Sequence, residues 1–247
     1  MYNPFSLEGK TILVTGASSG IGKATAIECS KMGAKIIACG RNIERLQETI
    51  CQLEGSQHKS FAGDLTEENI IEELLNKIPL IDGAVLAAGQ TLVLPLTYST
   101  PQKFEDIFKL NFFSTIELLR LLAKRKKMNS NASVVIITAA GGVKSFVSGH
   151  CVYGTSKAAL DAAMRYAALE FAPRKIRVNS ICPGLTETPM IHEGNVSDDQ
   201  LLLAQKMNPL KRNGSPRDIA MGAAYLLSDA ASWITGQSLV IDGGASI

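Results

Sequence analysis

Histidine and cysteine are scarce in this chain, with three and five copies in 247 residues. The cysteines, Cys29, Cys39, Cys51, Cys151 and Cys182, are odd in number and show no Cys-x-x-Cys spacing, so we expect no metal site. They read as small buried thiols, with Cys151 set apart by lying two residues before Tyr153. Long apolar runs are also missing. None approaches the length of a membrane span, and MYNPFSLEGK lacks both the charged and the apolar stretch of a signal peptide. The expectation is therefore no membrane association and a cytoplasmic location. Charge of one sign is missing too: the net charge is +2 and the basic residues are scattered, which gives no reason to expect a nucleic-acid partner. The exception is a local cluster, Lys124 to Lys127. Repeats, low-complexity runs and linkers are absent. What is there is 46% apolar and 19% charged residues, enough to bury a large core as a single α/β domain.

Taken in order, apolar β-rich runs alternate with segments of helical spacing. Strands are expected over Lys10–Gly16, Lys35–Cys39, His58–Ala62, Asp82–Leu86, from Ser133, over Ile176–Cys182 and over Ser238–Ile241. Helices follow Gly16, Asn42 and Leu65, and others are expected over Pro101–Arg125, Tyr153–Phe171 and Ser215–Leu227. The β-α-β-α order predicts a doubly wound parallel sheet of about seven strands with helices on both faces, a Rossmann-type single domain over 1–247. A segment at about 185–209, with a short helix over Asp198–Met207, is long enough to be a lid.

The first strand stops at Gly16, and Gly16, Gly20 and Gly22 form a G-x-x-x-G-x-G turn into a helix. Such a turn lets backbone approach a pyrophosphate while the helix N-terminus attracts the anion, although a glycine-rich turn is also just a turn. At the end of the second strand an acid would bind a ribose 2′-hydroxyl, whereas Arg41 offers a fork for a 2′-phosphate. The competing reading of Arg41 is a solvated arginine at a helix entry. Asp64, with Leu65 after it, accepts an adenine amino group, caps a helix, or does both. Ala88 and Gly89 after the fourth strand leave room for a flat ligand. Asn111 is an amide inside the apolar stretch LNFFSTIELLRLL, and it must bond either to backbone or to a water chain.

The stretch that organises the chain is SVVIITAAGGVKSFVSGHCVYGTSK, Ser133 to Lys157: a buried strand, a glycine-bearing loop and the start of a helix. Tyr153 and Lys157 lie four residues apart on that helix, about 5 to 6 Å apart at Cβ, so the ammonium favours the phenolate and tunes the tyrosine as an acid/base. The small residues Ala158, Ala159, Ala162, Ala163, Ala167 and Ala168 suit close packing against a second subunit.

Together, Thr15-Gly16-Ala17-Ser18-Ser19-Gly20-Ile21-Gly22, Asn111, Tyr153-x-x-x-Lys157, Pro183-Gly184 and Ile241-Asp242-Gly243-Gly244 resemble the short-chain dehydrogenase/reductase family over essentially the whole chain. Within it the look is closest to bacterial 3-oxoacyl-(acyl carrier protein) reductases. The resemblance implies hydride transfer between a nicotinamide nucleotide, NADP(H) rather than NAD(H), and a ketone, a secondary alcohol or an acyl-thioester substrate. Tyr153 is then the general acid, Lys157 lowers its pKa and holds the nicotinamide ribose, and Asn111 fixes a water that links Lys157 to solvent. Gly16, Ser18, Ser19 and Ile21 line the pyrophosphate and adenosine ribose; Thr186 and Thr188, after Pro183-Gly184, hold the pyrophosphate and the carboxamide. The tyrosine-lysine spacing separates the chain from the divergent enoyl reductases. A homo-dimer or homo-tetramer is implied as well, and Arg174 with the Lys124 to Lys127 cluster resembles a docking patch for an acidic carrier protein or, equally, a solvated helix end.

Two positions depart from the family pattern. A serine thirteen residues before the tyrosine, which hydrogen-bonds the substrate oxygen, is here Ala140, a loss of about 10²- to 10³-fold in rate if nothing replaces it. Thr138, Ser145, Ser148 and His150 are the candidate replacements, Ser148 and His150 first. The family's Asn-Asn-Ala-Gly is Leu86-Ala87-Ala88-Gly89, where Ala87 bears on local stability more than on chemistry. The alternative to an enzyme is a cofactor-binding subunit or sensor of the same fold without turnover.

Overall fold

The computed structural model describes residues 2–193 and 197–247. Among the described residues seven strands form one sheet: β1 Thr11–Thr15, β2 Lys35–Gly40, β3 Lys59–Ala62, β4 Ile81–Leu86, β5 Met128–Ile137, β6 Arg177–Pro183 and β7 Ser238–Ile241. Their order is β3-β2-β1-β4-β5-β6-β7 and every neighbouring pair is parallel. Helices cover both faces, so central strands such as TILVT are apolar along their length instead of alternating with polar residues. Alternate residues still part company. Leu13 belongs to a core with Ile37, Leu118, Ile136 and Met164, while Ile12 and Val14 pack with Ile36, Val85, Ile219 and Leu227 on the other face.

The helices are α1 Gly20–Lys31, α2 Ile43–Ile50, α3 Glu68–Lys77, α4 Pro101–Phe108, α5 Thr115–Lys124, the short turn α6 Ala140–Val143, α7 Cys151–Phe171, α8 Pro189–Glu193, α9 Asp198–Met207 and α10 Pro216–Leu227. Several starts are written locally. Ser215 caps α10 through a reciprocal pairing with Asp218, with Pro216 in the first turn, and Ser197 and Gln200 do the same for α9. The expected long helix over Pro101–Arg125 is instead α4 and α5 joined by a π-helical turn, Lys109–Ser114, with Asn111 inside it. Apolar spacing runs straight through that turn, so periodicity cannot reveal it. β5 begins at Met128, ahead of the expected Ser133, with a register shift between Ile81 and Gly83 on its partner. Of the proposed lid at 185–209, residues 194–196 lie outside the described residues.

Strand order reverses between β1 and β4. In a doubly wound sheet this switch point opens a crevice beyond the carboxyl ends of the strands.

Candidate functional site

A cavity of about 760 Å³ occupies that crevice. It is lined by residues just past the strand ends: Gly16 after β1, Arg41 after β2, Ala87 after β4, Thr138 after β5, Gly184 after β6 and Asp242 after β7. Gly16, Ser18, Ser19, Ile21, Arg41, Asp64, Leu65, Ala88, Gly89, Pro183, Gly184, Thr186, Thr188, Tyr153 and Lys157 all line this one space. Asn111 does not. Among the described residues no cluster of potential metal ligands occurs, and no helix is long and apolar enough to cross a membrane.

The glycine turn is built for close backbone approach. Gly16 is left-handed at φ 68°, and a Cβ on Gly22 would meet the Gly16 carbonyl oxygen at 2.3 Å, so the turn and α1 interlock only without side chains. Ser19 caps α1 without a side-chain hydrogen bond, and the first turn holds no acidic residue, which leaves the leading amides to an anion. A pyrophosphate fits this cradle. At the far end a Cβ on Gly40 would stand 3.2 Å from Ser18 Oγ, and Arg41 is exposed at the cavity rim. Burial pushes the Asp64 carboxyl up, but hydrogen bonds from Thr66 and the charges of Arg41 and Lys109 outweigh it and hold the group below its ordinary value. The cap of α3 is Glu67; Asp64 instead turns the chain before it by accepting from the Thr66 N–H at 2.9 Å.

The Ala87 departure has a local explanation. Thr15 Oγ1 accepts from the N–H groups of Ala87 and Ala88 at 3.0 and 3.2 Å, so β1 braces the β4 loop without an asparagine. Asn111 Oδ1 accepts from Gln90 N at 2.8 Å, while Nδ2 donates to Gln90 O at 2.9 Å and Ser156 Oγ at 3.0 Å. Both of its N–H donors are engaged, so the side chain ties the β4 loop to α7. Gly89 lies between the two key polar groups: a Cβ there would stand 3.1 Å from Asn111 Oδ1 and 3.2 Å from Lys157 Nζ.

Lys157 is buried, with Nζ donating to Ile137 O at 2.9 Å and lying 5.9 Å from the centre of the Tyr153 ring. Burial lowers Lys157 from 10.5 to about 8 and raises Tyr153 from 10.0 to about 12. This differs from the expectation of a phenol drawn down by its lysine: desolvation dominates, and the ammonium turns to a carbonyl. Tyr153 is only half-buried, however, and its opening onto the cavity relieves part of that penalty. At neutral pH the tyrosine is a phenol, the form that gives a proton.

Ala140 is buried at the cavity wall. Thr138 cannot replace the missing serine, because its hydroxyl donates to Ile181 O at 2.9 Å inside the core beside Cys182 Sγ. Ser145, Ser148 and His150 all line the cavity. Of the apolar lid residues, Leu185, Met190 and Ile191 face the space, whereas Leu202, Leu203 and Met207 are exposed. The basic patch is largely engaged within the chain: Arg174 donates to Met128 O, Lys127 to Ile78 O, and Arg125 pairs with Glu72. Cys29 and Cys39 are buried thiols pushed up to about 12, as their composition suggested, while Cys51 is exposed. Thr15, Ser156 and the Ile137 carbonyl escaped sequence reasoning as site residues; Ser156, a hydroxyl beside Lys157, carried the only local signal.

Residues 16–246 match the sequence model of a family described as enoyl-(acyl carrier protein) reductase. A tropinone reductase homologue of Arabidopsis thaliana is 32% identical over 250 residues, 98% of this chain and 92% of that protein. A short chain dehydrogenase/reductase of Aspergillus novofumigatus is 31% identical, covering 99% and 98%. Among solved structures, a dehydrogenase/reductase from Sinorhizobium meliloti superposes with a TM-score of 0.91 at 28% identity, over 99% of this chain and 98% of that one.

Proposed function

The chain belongs to the short-chain dehydrogenase/reductase family of nicotinamide-dependent oxidoreductases, and from that premise we propose that it interconverts a carbonyl and a secondary alcohol, with NADP(H) rather than NAD(H). The observation that carries this reading is the placement of Tyr153 and Lys157 in the same cavity as the Gly16 turn, at the switch point of the sheet. Gly16, Ser18, Ser19 and Ile21 hold the pyrophosphate and adenosine ribose, Arg41 the 2′-phosphate, and Thr186 and Thr188 the nicotinamide end. The bound nucleotide supplies or accepts the hydride. Tyr153 donates its phenolic proton to the carbonyl oxygen as charge develops there, and takes it back in the reverse direction. Lys157, fixed on the Ile137 carbonyl, places positive charge beside the phenolate so formed. Asn111 acts on these groups through Gln90 and Ser156 as a positioning residue.

Carbonyl chemistry is preferred to enoyl reduction, despite the matched family's description, because the tyrosine and lysine stand four residues apart. The acyl-thioester substrate loses support with the basic patch engaged, which leaves a ketone or alcohol. The apolar faces of Phe113, Tyr166 and Leu169, exposed in the single chain, support a homo-dimer or homo-tetramer.

Ala140 favours one second reading, a subunit that binds nucleotide without turnover. NADPH oxidation over a panel of ketones, run on the native chain and on Ala140→Ser, separates the two. Turnover by the native chain supports the enzyme; turnover confined to the serine variant overturns it.

A further inference from the structure

Resting on that reading, a second group is needed at the substrate oxygen, because a phenol alone leaves one side of the developing charge unmet and Ala140 has no hydrogen to give. His150 is the N-cap of α7, three residues before Tyr153 and seven before Lys157, and all three line the cavity. Its ring packs edge-on to the Tyr153 ring with centroids 6.5 Å apart. Any oxygen within reach of the phenol therefore lies in the neighbourhood of the imidazole.

His150 is in contact through both its backbone and its ring. His150 O accepts from Gly154 N at 2.7 Å, and Nδ1 stands 3.3 Å from Ser148 O. A carbonyl only accepts, so Nδ1 carries a hydrogen in that contact; Nε2, the ring atom open to a ligand, has a hydrogen of its own only in the doubly protonated imidazolium. The loop behind it is equally fixed. Gly142 N donates to Ser145 O and Ser145 N to Ala140 O, and Gly142, at φ 100°, abuts Gly154 so closely that a Cβ would fall 2.3 Å from the Gly154 carbonyl oxygen. The loop that carries Ala140 is thus packed directly against α7 through Gly142 and Gly154. Ser145 and Ser148 carry no side-chain anchor comparable to the Nδ1 contact, and Ser148 is exposed.

We propose that His150 takes the place of the missing serine: as an imidazolium, with Nδ1–H on Ser148 O, it donates an Nε2–H hydrogen bond to the substrate carbonyl oxygen beside the Tyr153 hydroxyl. No bond is made or broken by the imidazole. The transferred proton is still that of Tyr153.

The test compares His150→Leu, His150→Gln and Ser145→Ala with the native chain, each with and without Ala140→Ser. The expected result is a loss of about 10²- to 10³-fold in kcat/KM for a reduced ketone in H150L. H150Q, which keeps an N–H donor, stays within about tenfold, and A140S restores most of what H150L loses. NADPH affinity, measured by direct titration, is unchanged throughout and reports that each variant is folded. Full activity in H150L, or a loss confined to Ser145→Ala, overturns the inference and leaves the reductase reading intact. A second readout does not need turnover. In the complex with NADP⁺, titration with cyclohexanone shifts the His150 Nε2 resonance in a ring ¹⁵N spectrum, a signal assigned by its disappearance in H150L. If ketone binds and that resonance does not move, the inference fails. A chain that binds neither form of the nucleotide overturns the functional reading, and this inference with it.

Discussion

Lys157 holds an ammonium buried against the Ile137 carbonyl. Its pKa is depressed from 10.5 to about 8, so the protonated form is penalised in the folded state and not in the unfolded one. Below about 8 that penalty is fully present, and stability rises as pH climbs from 8 toward 10.5, where the unfolded chain still holds a proton that the folded chain has released. Chemical denaturation of the native chain and of Lys157→Met should show the native chain gaining on the variant across that window, by at most about 3 kcal/mol. A gap independent of pH would mean that the amine is solvated. Tyr153 works in the opposite direction only above its ordinary value of 10.0, outside most of this window. The same desolvation that costs stability keeps the tyrosine a phenol and the lysine close to losing its proton, which suits a pair that must pass a proton.

Elements are fixed where backbone geometry admits one residue type or where a cap closes a helix. Gly22 belongs to the first kind. A methyl group there collides with the Gly16 carbonyl oxygen, and relief requires the turn to move away from α1. Gly22→Ala should lose about 1 to 3 kcal/mol of stability and weaken NADPH binding at least tenfold; denaturation and titration of one preparation check both. Asp218 belongs to the second kind. Hydrogen bonds from Arg212 and from the Ser215 N–H and hydroxyl hold its carboxyl well below the ordinary 3.8. A depressed carboxylate contributes stability that is present above 3.8 and is lost as pH falls through its folded value. Ser215→Ala should cost about 1 kcal/mol at neutral pH, and less in strong acid, in denaturation curves at the two conditions.

For the whole molecule, the parallel β-α order explains how much was legible. Once each strand is followed by a helix on an alternating face, every strand's carboxyl end lies on one edge, so Gly16, Arg41, Ala88, Tyr153 and Gly184 converge without contact information. The features that stayed hidden depend on partners distant in sequence: Asn111 engaged by Gln90 and Ser156, Lys157 by Ile137, Thr15 gripping Ala87 and Ala88, and Arg174 drawn onto Met128. The π turn around Asn111 was hidden as well, since the apolar spacing runs unbroken through it. Nucleotide choice also belongs to this scale, because it depends on charge at the rim of the cavity. Arg41→Ala should lower the preference for NADPH over NADH by about 10- to 100-fold, the range of a hydrogen bond to a charged group, as read from the two titrations. The central claim is that this cavity passes hydride to a carbonyl while Tyr153 gives the proton, and transfer of deuterium from 4-deuterated NADPH to a ketone tests it most directly. The native chain should yield alcohol labelled at the carbinol carbon, with the rate about 10² to 10⁴ lower in Tyr153→Phe at unchanged NADPH affinity. Unlabelled alcohol, or a phenylalanine variant as fast as the native chain, would contradict the account.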